Sequence, residues 1–179
     1  AVFRTQKFYS MAGSVSGAGF ALINFALLAR LLSKEDFGFW TTFITAFTIF
    51  EMFRNGVVGR PLVKMVAEAK EEEEIKKINS SAWYIGAGVS ILASALALLI
   101  WLGFVVFQVE SEYNKLFWWF ALNCLATLPF NFGLWNCTSA IRFDRVMYIR
   151  GSYQFLFLVG TILAFAFGWT LDVIFWFYL

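Results

Sequence analysis

From Ala82 to Phe107 the chain reads AWYIGAGVSILASALALLIWLGFVVF, without one charged side chain. As a helix this segment would be about 39 Å long, against about 30 Å for the hydrocarbon core of a bilayer. Runs of similar character lie at about 10–29, 37–58, 116–141 and 153–169, with the charges other than Glu51 and Arg54 gathered outside them. The chain is 60% hydrophobic and 15% charged, whereas soluble domains are about 45–50% apolar and about 25% charged. In lipid, every backbone N–H and C=O needs an internal partner, so runs of this length fold as helices. The expected fold is all-α: a polytopic membrane helix bundle over 1–179, a single membrane domain with five complete transmembrane helices. A sixth begins at 172–179, where eight residues give only about 12 Å of helix. The sequence is therefore expected to be the N-terminal part of a larger membrane protein.

The first run follows Arg4 and Lys7, as a signal peptide would, but it is too long, lacks a cleavage site and is followed by more spans. Ser10, Gly13, Gly17, Ala21 and Asn24 fall within roughly 80° of one another on its helical wheel. Gly13-xxx-Gly17 is a close-packing seam for a second membrane helix. Gly86, Ser90, Ala93 and Ala97 form a similar packing stripe in the third span.

Between the spans, RLLSKEDFGFW (30–40) and QVESEYNK (108–115) read as short loops, and RFDRVMYIRGS (142–152) as a basic one. The segment 60–80, with AEAKEEEEIKK at its centre, reads as a cytoplasmic amphipathic helix; its acidic run is a solvated face. Counted by side, the N-terminus, the 54–77 region and the 142–150 loop carry eleven Lys and Arg, and the opposite side carries three. That bias puts the N-terminus in the cytoplasm. Trp118, Trp119, Trp135, Trp169 and Trp176, with Tyr9, Tyr84, Tyr113 and Tyr153, read as an interfacial aromatic belt.

Several chemistries find little support. The chain has no histidine, the commonest catalytic base and metal ligand. Cys124 and Cys137 would lie about 20 Å apart on one helix, too far for a disulfide, and they have no metal-ligand spacing. No basic tract with interleaved aromatics suggests nucleic acid. The expectation is a non-enzyme with no cofactor and no metal, H+ or Na+ being the open choice of coupling ion.

Polar residues inside the spans are the functional candidates. Thr41, Thr45, Thr48, Glu51 and Asn55 fall within roughly 120° on the second span. An acid in a membrane segment usually faces a cavity or a partner, which marks Glu51 as cavity-lining; the threonines alone would suit interhelical hydrogen bonding. Arg54 has two readings, pairing with Glu51 at i, i+3 or snorkelling to the headgroups. On the fourth span Asn123, Thr127, Asn131 and Thr138 cluster within about 80°, and Pro129 is expected to kink the helix and free a carbonyl. Asn24 completes the candidate path. Arg60 and Lys64 read as contacts to anionic lipid headgroups.

ARLLSKEDFGFW and EMFRNGVVGRPLVKMVAEA resemble the first hairpin and the end of the second helix in the oligosaccharide and polysaccharide flippases of the MOP superfamily. The resemblance is sharp over about Ala12 to Ala69 and topological beyond. It implies a transporter of 12 to 14 helices in two lobes, this chain being most of the N-terminal one, in a bacterial cytoplasmic membrane. It implies as cargo an undecaprenyl-pyrophosphate-linked oligosaccharide bound for surface polysaccharide or O-antigen, and other polysaccharide-assembly proteins as partners. Glu51 would then end a polar stripe on the cavity, with Arg54 and Asn55 at its cytoplasmic mouth. Gly56 and Gly59 would let the helix bend into the surface segment. On this reading Glu51→Gln and Arg54→Ala impair export at unchanged membrane abundance. The competing readings are a drug/cation antiporter of the same superfamily, with Glu51 coupling the ion, and a membrane-embedded glycan-processing enzyme. The latter needs a base or nucleophile, and the outer loops offer only Glu35, Asp36, Glu110 and Glu112. A non-catalytic scaffold explains the seams but not the aligned polar stripes.

Overall fold

The computed structural model describes residues 2–108, 114–168 and 171–178, with backbone alone at 2–10, 12 and 14. Glu110, Glu112, Tyr113 and Trp169, and the side chains of Arg4, Lys7, Tyr9 and Ser10, thus lie outside the described residues. The protein is all-helical, and no strand occurs among the described residues. Its helices are α1 (Val2–Leu31), α2 (Lys34–Arg54), a π-helical turn (Asn55–Gly59), α3 (Arg60–Glu68), α4 (Glu72–Val106), α5 (Asn114–Ser139), α6 (Phe143–Phe167) and α7 (Leu171–Tyr178). They form two compact units, one of residues 1–38 with 140–179, the other of 39–139.

Among the described residues, two helices are long and apolar enough to cross a membrane, α4 and α6. The expectation was five complete spans. The shortfall in α2 and α5 has a chemical cause. Lys34, Glu35, Asp36, Glu51 and Arg54 dilute α2; Asn114, Lys115, Asn123, Asn131 and Asn136 dilute α5. In α1 the apolar stretch among described residues is Val15–Leu31. The charged segment 60–80 is divided: α3 ends at Glu68, Ala69 is extended, and Glu72–Lys77 form the first turns of α4.

In the first unit α1 packs on α6. Gly13 faces Met147 and Gly17 faces Gln154, so the two helices run parallel and the glycine seam admits a close neighbour. Leu28 and Asn24 are buried farther along the same face, while Ala21 is exposed. Gly160 on α6 lets the Phe177 ring of α7 lie against the backbone, and the Tyr153 hydroxyl donates to the Tyr178 carbonyl at 2.6 Å. At the start of α2, Ser33 caps the helix: its Oγ accepts from the Asp36 N–H at 3.0 Å and donates to the Asp36 carboxylate at 2.8 Å. Glu35 and Asp36 also suit the positive end of the helix.

In the second unit α4 and α5 form an antiparallel pair, stitched by Trp101–Trp118, Phe104–Phe117 and Trp83–Phe132 ring contacts. The small residues Ala82, Gly86, Ser90, Ser94 and Ala97 are buried along α4, and Leu128 packs over Gly86. α2 lies parallel to α5: Phe47 and Phe50 meet Phe120, and Asn55 meets Trp135 farther along both helices. Val58, Leu62, Ala82 and Trp135 close the core where the π turn, α3, α4 and α5 converge.

Candidate functional site

A helix turns 100° per residue, so Arg54, three positions after Glu51, points about 60° to one side of it. That offset aims the guanidinium at α4 and α5. Arg54 is fully buried; it does not snorkel. Nη1 donates to Ser90 Oγ at 2.9 Å and to the Cys124 carbonyl at 3.0 Å. Nη2 donates to Thr127 Oγ1 at 2.9 Å and to Glu51 Oε1. The cation also lies 5.3 Å from the centre of the Phe50 ring, a cation–π contact one helical turn back. Of the five guanidinium N–H donors, Nε alone has no partner among the described residues.

Glu51 is held from both sides. Oε1 takes the Arg54 bond and lies 3.1 Å from the Thr127 hydroxyl, and Oε2 accepts from Asn131 Nδ2 at 2.9 Å. The Thr127 hydroxyl also lies 2.7 Å from the Asn123 carbonyl, and its single proton serves one acceptor at a time. Asn131 spends its second N–H on the Thr127 carbonyl at 3.1 Å. Pro129 lies inside α5, which runs unbroken through it. Proline cannot donate to the carbonyl four residues back, that of Leu125; the carbonyl that Arg54 takes is the preceding one, of Cys124.

The charge pair is therefore neutral and nearly saturated, and it ties α2 to α4 and α5. Glu51 keeps 24% of its side chain exposed. Thr48 and Thr45 are exposed one and two turns before it and Asn55 one turn after. Asn55 Oδ1 accepts from Trp135 Nε1 at 3.0 Å. Chemically this is a clamp with a polar margin: hydroxyl and amide groups, with an edge of a carboxylate, that can hydrogen-bond a hydroxyl-rich ligand.

The remaining candidates sit apart. Asn123 is fully buried; its Nδ2 bonds the Trp119 carbonyl at 3.0 Å and its Oδ1 has no partner among the described residues. Asn24 is buried in the first unit, and its Oδ1 likewise has no partner among the described residues. Arg60 and Lys64 are exposed on α3, and Lys64 reaches Glu68 at 3.9 Å. No hydrogen bond joins Thr48 to the pair among the described residues. Ser90 and Trp135 belong to the cluster although the sequence suggested a packing stripe for one and a belt for the other. No periodicity separates Ser90 from its small neighbours, but a buried cation needs acceptors, and among the buried residues of α4 only Ser90 and Ser94 carry one on the side chain.

A family model described as polysaccharide biosynthesis protein matches residues 4–178. No curated protein and no solved structure matches the chain.

Proposed function

Because the chain belongs to the polysaccharide biosynthesis protein family, whose members are flippases and transporters rather than enzymes, we propose that it acts in moving an undecaprenyl-pyrophosphate-linked oligosaccharide across the bacterial cytoplasmic membrane, toward surface polysaccharide or O-antigen. A polysaccharide-related flippase role is what the family itself supports; the cargo is the finer step. The observation that carries it is the Arg54–Glu51 pair. A fully buried guanidinium in an apolar helix bundle is costly to keep, and this one holds a carboxylate edge in line with exposed Thr45, Thr48 and Asn55. Such a margin suits sugar hydroxyls.

The helix directions support a chain threading the membrane in alternation. Successive crossings require α1 parallel to α6, α2 parallel to α5, and α4 antiparallel to both α2 and α5. The Gly13–Met147 and Gly17–Gln154 contacts, the α2–α5 bonds and the α4–α5 ring pairs run in those senses, and Arg54–Ser90 with Val58–Gly86 reverses α4 against α2. With Arg54 buried rather than in a loop, ten Lys and Arg still face three, which supports a cytoplasmic N-terminus. The chain then resembles the N-terminal lobe of a transporter that rocks around a central site. Exposed Arg60 and Lys64 on α3 would meet the anionic head of the arriving lipid.

The test is to delete the gene in its own host. Loss of surface polysaccharide, with lipid-linked oligosaccharide accumulating on the cytoplasmic face and recovery on complementation, supports the reading. Full surface polysaccharide in the deletion strain refutes it.

A further inference from the structure

A cleft of about 260 Å³ opens on the second unit, between the π turn with α3 and the first turns of α4. Val57, Leu62 and Met65 form one wall, Ile78, Ala82 and Ile85 the other. Its floor is sealed, since Leu62 and Ala82 are buried, but Val57, Met65 and Ile85 present about half of their surface outward. Lys77 is the one charged residue in the lining. The cleft lies where α4 changes character, from EEEIKK to an unbroken apolar run. One end is thus polar and cationic and the other wholly apolar.

That profile is the profile of a single membrane lipid. We infer that the cleft seats one anionic phospholipid of the surrounding bilayer, its phosphate against Lys77 and an acyl chain between α3 and α4. Lys77 also meets Glu73 at 3.3 Å, but both side chains are about three-quarters exposed, and such a pair contributes little. Rotation of the lysine to a phosphate therefore costs little. A single cation matches a single phosphodiester charge, and a pyrophosphate carrier brings more charge than the lining answers. The site is separate from Arg60 and Lys64, which are not in the lining. Because Val57 and Val58 belong to the π turn, a lipid seated there braces that turn against α4. The inference needs the membrane setting but not the transported cargo.

The experiment is native mass spectrometry of the purified chain, titrated with phosphatidylglycerol and with phosphatidylcholine of identical acyl chains. A lysine at a lipid surface adds about fivefold to the affinity for an anionic headgroup, so phosphatidylglycerol is expected to bind about fivefold tighter. Lys77→Gln brings the two lipids to parity. Lys76→Gln, the same charge change one residue away and outside the lining, keeps the preference. Ser81→Phe, at an exposed lining position, fills the cleft and weakens both lipids. Equal behaviour of the two lysine variants, or undiminished binding to Ser81→Phe, overturns the inference. So does displacement of phosphatidylglycerol by a polyprenyl pyrophosphate, which would make the cleft a cargo site.

Discussion

Replacing Glu51 by glutamine is the sharpest probe of the Arg54 clamp. The carboxylate accepts on both oxygens, from Arg54 and Thr127 on one side and from Asn131 on the other. A glutamine has one accepting end and one donating end, so either orientation sets N–H groups against N–H groups. Removing one partner of a fully buried ion pair costs about 3–5 kcal/mol. Two features lower that figure here: Arg54 keeps Ser90, Thr127 and the Cys124 carbonyl, and Glu51 is 24% exposed. We expect about 2–3 kcal/mol for Glu51→Gln and a similar loss for Arg54→Met, which strands Ser90 and the Cys124 carbonyl in an apolar setting. The double variant should cost less than the two together, with a coupling energy of about 1–3 kcal/mol. Equilibrium unfolding of the purified chain in detergent micelles measures all three. Single losses under about 0.5 kcal/mol, or additivity within that margin, would refute a buried, shared guanidinium. The geometry also changes one expectation drawn from sequence. Losses of this size lower cellular abundance, so export by Glu51→Gln and Arg54→Ala has to be normalised to the protein present.

Gly59→Ala would place a methyl group about 2.7 Å from Trp135 Cε2; it should cost about 1–3 kcal/mol, whereas Gly56→Ala, with open space around it, should be neutral or stabilising by up to about 1 kcal/mol, and paired thermal melts compare them. Ser33→Ala removes the cap of α2 at about 1 kcal/mol, read as faster hydrogen exchange at the Asp36 amide. Cys124 is fully buried and Cys137 is partly exposed, so a maleimide should modify Cys137 in the folded chain and reach Cys124 only on unfolding, as peptide mass mapping would report.

The apolar runs were legible because the bilayer leaves the backbone one local solution, and periodicity then located the polar faces of α2 and α5. The i, i+3 spacing offered the Glu51–Arg54 pair as one of two readings. It left open where the pair points, because that depends on which neighbours α2 has. The same spacing with lipid on that side would let Arg54 snorkel. With Ser90, Thr127 and the Cys124 carbonyl there, burial wins. Ser90 was hidden among small residues for a related reason: a stripe of Gly, Ala and Ser looks the same whether its one hydroxyl faces carbon or a cation. The boundary near Ala69 was lost in the charged run because lysines and glutamates are good helix formers on both sides of it.

The π turn has a consequence for how this chain can vary. Arg54 and Arg60, on either side of it, both keep right-handed helical backbone (φ −58°, ψ −43° and φ −66°, ψ −47°). α2 and α3 are thus one rod carrying a surplus residue, and each surplus residue advances everything after it by about 100°. That phase puts Leu62 into the core with Val58 and Trp135, Val66 packed against it, and leaves Arg60 and Lys64 outside. Losing a single codon between Asn55 and Gly59 would rewind the rod and swing the basic residues round by a quarter turn without altering any residue of α3. A gap of one at this point is therefore a rotation of the charged face.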